Sequence, residues 1–146
     1  MRKIIYIKFL LYYILVVLLV SLSTIVLHEI GHFIFGLISK CSEIKVVLID
    51  QTMYGSYTEM RCPPTTNTII LGLSGFFIVL PISFLYLFRF KNFERYVGLL
   101  IFGFNLIISV DDFNKYLKIP FAEIFSIFGI ILVMIGEYKM IKSVVD

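Results

Sequence analysis

Charge is what this chain has least of. Asp, Glu, Lys and Arg make up 16% of its 146 residues, against 60% hydrophobic side chains, and the mean hydropathy is +0.98. Soluble domains carry about a quarter of their residues as charges, so this composition excludes a soluble fold and points to a polytopic membrane protein. Repeats and low-complexity segments are lacking too. The length has room for a single bundle of about four spans and no separate soluble domain. The net charge of +3 is spread over loops and termini, which suits anionic lipid headgroups and speaks against nucleic acid as a partner. Cysteine and histidine are scarce, at two residues each.

The expected fold is all-α and polytopic, with about four transmembrane helices and a short β-hairpin-like insertion after the first. One domain spans 1–146, with spans at about 4–39, 68–88, 96–110 and 120–136 and a polar loop at 40–67. The first apolar run is interrupted only by Lys8 and by a polar pentapeptide. As one helix it measures roughly 50 Å, longer than the ~30 Å hydrocarbon core. It reads as one tilted helix, because no Gly or Pro marks a turn near Ser21-Leu22-Ser23-Thr24. It is expected to stay attached, since no small-residue cleavage site precedes the next polar stretch. In the loop, Ile44 to Ile49 is rich in β-branched residues, and Tyr54-Gly55-Ser56-Tyr57 is a turn signal before Thr58 to Arg61. Cys41 and Cys62 flank this loop and are expected as free thiols, with a disulfide as the alternative if the loop faces an oxidising compartment. Gly72, Gly75 and Pro81 mark the second span, and Asp111-Asp112 are expected to close the third.

Both histidines lie in one pentapeptide, His28-Glu29-Ile30-Gly31-His32. On a helix, His28 and His32 sit one turn apart on one face and can bind one Zn²⁺, with Glu29 beside them as a base for water held there. Burying a charged group at membrane depth costs about 2.5 kcal/mol or more, so these residues need a partner or a task. Catalytic zinc takes three protein ligands and a water. Asp111 is the expected third ligand, with Asp112 as the alternative and Glu123 as a weaker substitute.

These residues resemble, in order along most of the chain, the site-2 protease family of intramembrane metalloproteases. That family carries His-Glu-x-x-His on a membrane helix, with Gly before the second His and a small residue one turn later, matched here by Gly31 and Gly36. A β-containing segment follows, here Cys41 to Arg61, and Leu73-Ser74-Gly75 is an imperfect counterpart of the family's small-residue entry to the next span. A later helix carries Asn and then Leu-Asp-Gly, whose Asp is the third zinc ligand; Asn105 and Val110-Asp111-Asp112 resemble this. The prolines between Asn and Asp are missing, the spacing is shorter, and no Gly follows the Asp. Val110-Asp111 mimics the Leu-Asp pair, whereas counting from Asn105 favours Asp112. No tethering domain is expected, so substrate selection is expected to come from the membrane core or a partner.

The resemblance implies a zinc metalloendopeptidase in which Zn²⁺ is held by His28, His32 and one Asp, with Glu29 as general base. Asn105 is a candidate for hydrogen-bonding the substrate backbone, with a polar residue joining two helices as the alternative, and the segment at Ile44 to Ile49 for pairing with an unwound substrate strand, with a surface hairpin as the alternative. The implied partners are a membrane-protein substrate and the lipid bilayer; an oligomer is compatible with the sequence. Composition places the chain as integral and multi-pass, and its small size, without extra domains, suggests a prokaryotic cell membrane. With one first helix, both termini and the loop from Arg89 to Arg95 share a side holding about eight Lys and Arg against about five opposite, which favours cytoplasmic termini. Many members of the family keep their zinc near the cytoplasm, the reverse placement. Two rivals to the peptidase are a non-proteolytic binding or regulatory protein on the same scaffold and a metal-binding transporter or sensor, which would need a polar trail through the membrane.

Overall fold

The structure, a computed structural model, describes residues 2–50 and 55–145. Helix α1 (Arg2–Ile38) is continuous through the Ser21–Thr24 stretch. There Ser21 and Thr24 turn their hydroxyls back on the carbonyls of Leu18 and Val20, so these polar side chains are satisfied within the helix and do not break it. The helix ends in a Schellman turn. Lys40 takes a left-handed conformation (φ 58°), its amide donates to Leu37 O and the Cys41 amide donates to Gly36 O, satisfying the last carbonyls.

Strands β1 (Ser42–Asp50) and β2 (Gly55–Arg61) form an antiparallel pair, with Val46 opposite Thr58 and Ser42 opposite Arg61. Gly55, Ser56 and Tyr57 belong to β2 and do not form the turn; Tyr54 lies outside the described residues. Continuing the ladder one rung past Ser42 and Arg61 places Cys41 opposite Cys62. They are joined by a disulfide with Cα atoms 4.1 Å apart, which overturns the expectation of free thiols.

Helix α2 (Thr68–Arg89) is capped by Asn67, whose Oδ1 accepts from the amides of Ile69 and Ile70. Such a cap is worth about 1 kcal/mol. Helix α3 (Phe93–Ile108) runs on through Ser109 into a short turn, α4 (Val110–Asp112), and a π-helical turn at Phe113–Leu117. The third span therefore extends beyond the expected 96–110, and Asp111-Asp112 lie inside it. The chain continues because its apolar anchor comes later: Phe113 is buried with Leu106 and Ala122 and stacks edge-on against Phe76 and Phe125. Helix α5 (Glu123–Val145) outruns the expected end near Gly136.

Among the described residues, four helices are long and apolar enough to cross a membrane, at Ile7–Ile38, Thr68–Arg89, Phe93–Leu117 and Glu123–Ser143. α3 packs most extensively on α5 and α2, and α1 packs on α2, α3 and both strands. Large side chains such as Leu11, Leu22, Phe77 and Ile127 point outward, as expected where the solvent is lipid. The hairpin sits at the end of the bundle where α1 stops and α2 begins.

Candidate metal centre

His28 and His32 are buried, 2% and 8% exposed, on the face of α1 that meets α2 and α3. Each imidazole is oriented through Nδ1. Nδ1 of His32 lies 2.9 Å from Leu71 O and 3.2 Å from the Ser74 hydroxyl. The carbonyl can only accept, and Ser74 already donates its own proton to Leu71 O, so His32 Nδ1 carries the hydrogen. Nδ1 of His28 lies 3.4 Å from Asn105 Oδ1. The Asn105 amide nitrogen is committed to Phe76 O at 3.0 Å, which turns its oxygen toward His28 and makes His28 Nδ1 a donor as well.

Both Nε2 atoms are then left with lone pairs, and the two lie 3.2 Å apart. Into the same space projects Asp112 Oδ2, 2.9 Å from His28 Nε2 and 3.2 Å from His32 Nε2. With both imidazoles neutral, three acceptor lone pairs converge there. A single proton can occupy one edge of this triangle, whereas a metal ion at its centre faces all three donors. The group His28, His32 and Asp112 could hold a metal ion, and the partners on each Nδ1 are the outer support that metal-bound histidines usually have.

Asp111, expected as the third ligand, is exposed and lines the adjoining cavity; the carboxylate at the histidines is that of Asp112. Helical phase is the reason. Asp112 follows Asn105 by seven positions, about two turns, so the two share the face turned to α1, while Asp111 is rotated away by about 100°. Glu123 is not at the site; it is exposed and accepts from Asn114. Asn105 is fully buried, and its amide is spent on Phe76 and His28. These bonds orient His28 and tie α3 to α2, the helix-joining alternative for Asn105.

The close approach of α1 and α2 depends on glycine. A Cβ on Gly75 would stand 2.6 Å from His28 Nε2 and 2.7 Å from His32 Nε2, and one on Gly31 would stand 2.5 Å from Ser74 O. Any side chain at Gly75 would fill the space where the lone pairs meet.

Glu29 is 3% exposed and held from the hairpin. Ser56 Oγ donates to Glu29 Oε1 at 2.8 Å and Thr58 Oγ1 to Oε2 at 2.6 Å. Alternate residues of a strand share a face, so Ser56, Thr58 and Met60 all turn toward α1, with Met60 against Gly36. The bonds of Ser56 and Thr58 to Glu29, and of Ser74 to His32, were not foreseen from sequence. The available signal was hydroxyls two apart in a strand tethered next to a helix with a buried Glu. A cavity of about 500 Å³ adjoins the group, lined by His28, Glu29, Thr58, Leu71, Asp112 and Tyr116 among others. No protein-family model, curated protein or solved structure matches the chain.

Proposed function

We propose that the chain is an intramembrane zinc-dependent endopeptidase of the site-2 protease type. The observation that carries this reading is the convergence of the three lone pairs of His28, His32 and Asp112 beside a buried glutamate. Zinc at about 2.0–2.1 Å from tetrahedral ligands sets neighbouring donor atoms about 3.3 Å apart, and the three edges here measure 3.2, 2.9 and 3.2 Å. Two imidazoles and a carboxylate are a common donor set for catalytic zinc, which keeps a fourth position open.

When bound, zinc supplies Lewis acidity that brings the pKa of a coordinated water to about 7 and polarises a carbonyl. The protein's own part is proton transfer and positioning. Glu29 accepts the proton of water in the cavity and returns it to the amide nitrogen that leaves. The hydroxyls of Ser56 and Thr58 fix both oxygens of that carboxylate, so it is aimed before substrate arrives. The two histidines hold their positions through bonds to Asn105, Leu71 and Ser74, and Asp112 meets both of them at Nε2. A substrate helix must unwind to enter, because its carbonyls are otherwise paired internally; the polar strand β2 beside the cavity gives an unwound backbone something to bond.

The test compares membranes from cells producing the full chain with those producing Glu29→Gln, mapping new protein termini by mass spectrometry. The proposal expects termini that appear with the parent and vanish with the variant, while the variant keeps its zinc. Identical terminus maps, with both proteins folded and metal-loaded, would contradict it and favour a binding or transport role.

A further inference from the structure

The cavity, the hairpin and the disulfide all lie at one end of the bundle. Every lining segment comes from that end: the last turns of α1, strand β2, the first turn of α2 at Leu71, and the segment from Ile108 to Tyr116. The hairpin is closed at its root by Cys41–Cys62. Disulfides persist in oxidising compartments and are rare in the cytosol, where thiols are kept reduced. The cysteine pair therefore carries information about which side of the membrane this end faces.

Charge provides an independent indication. The short connection between α2 and α3 makes successive spans antiparallel, so the opposite end of the bundle gathers Arg2 and Lys3, Arg89, Lys91 and Arg95, and Lys139 and Lys142. Short loops rich in Lys and Arg stay cytoplasmic. Between the two strands' roots and at the α3–α5 connection only Lys40, Lys45, Arg61, Lys115 and Lys118 lie on the hairpin end, and Arg61 is paired with Glu43 at 3.0 Å.

We infer that the hairpin and the mouth of the metal centre face the non-cytoplasmic side, and that the substrates are membrane-spanning segments cut in the outer half of the bilayer. The substrate half of this inference rests on the peptidase reading; the orientation does not. His28 and His32 lie within the last three turns of α1, the end that carries the hairpin, so a scissile bond reaching them sits toward that face. Products released from the outer half leave to the exterior, and the residual span stays with the cytoplasmic side.

The experiment uses the full chain in a bacterial cytoplasmic membrane and a membrane-impermeant maleimide mass tag on intact cells. The expected result is no tagging before treatment and two tags per chain after an impermeant reductant. Two thiols that react only after lysis, without reductant, would overturn the orientation. A second variant, Cys41→Ser/Cys62→Ser with Lys45→Cys, reads the side without the disulfide: tagging on intact cells supports the inference, and tagging only after lysis overturns it. Neither readout involves metal or cleavage, so a chain oriented this way but devoid of zinc refutes the peptidase reading alone. In the terminus maps of the parent and Glu29→Gln, cuts in the cytoplasmic half of substrate spans would overturn the substrate assignment.

Discussion

Asp112 Oδ2 lies 2.9 Å from His28 Nε2, across 84 positions of sequence. The neighbouring Asp111 has no place in this contact. Removing the carboxylate of Asp112 takes away one of three protein donors, whereas removing that of Asp111 changes only the cavity wall. Asp112→Ala is expected to lower zinc occupancy of the purified protein at least tenfold, and Asp111→Ala to leave it within twofold, by elemental analysis.

Gly75 supports a sharper expectation, because a single methyl group is enough. The added Cβ would come within 2.7 Å of both imidazoles, and contacts that close force a shift of helix or ring. Gly75→Ala is expected to lose metal affinity at least tenfold while the helical circular dichroism stays unchanged; unchanged affinity would contradict the packing described.

Ser56 and Thr58 bind Glu29 but contribute no donor to the metal group. Hydrogen bonds to a charged group are worth about 1.5–3 kcal/mol each, which corresponds to about 10- to 100-fold in rate if they serve the transition state. Ser56→Ala and Thr58→Ala are each expected to slow product formation by that amount with zinc content unchanged. Thr58→Ser, which keeps the hydroxyl, should recover most of the loss.

Asn105 orients His28 from behind. Outer partners of metal-bound histidines usually account for 10- to 100-fold in affinity. Asn105→Leu removes the acceptor for His28 Nδ1 and the side-chain donor to Phe76 O, so competition with a chelator should show zinc affinity weakened by about that range.

Much of the helical framework was readable in the chain, because apolar runs at membrane length and the spacing of His28 and His32 are local properties. What escaped depends on how distant segments meet. The choice between Asp111 and Asp112 is set by the phase of α3 against α1; the local Val110-Asp111 pair pointed the wrong way, whereas the interval from Asn105 pointed the right way. The end of the third span is set by Phe113, whose burial between Phe76 and Phe125 no local pattern announces. The disulfide depends on hairpin register, in which a shift of one residue would separate the cysteines. The hydroxyls on Glu29 depend on which face of β2 turns to the helix, and the strand began earlier than Tyr54-Gly55-Ser56-Tyr57 suggested.

Zinc content of the full chain, purified folded in detergent, tests the central claim most directly. About one zinc per chain in the parent, lost in His28→Ala and retained in Glu29→Gln, is the predicted result. A well-folded parent with no bound zinc after incubation with the metal would contradict the account, because three converging lone pairs would then be held together by something else.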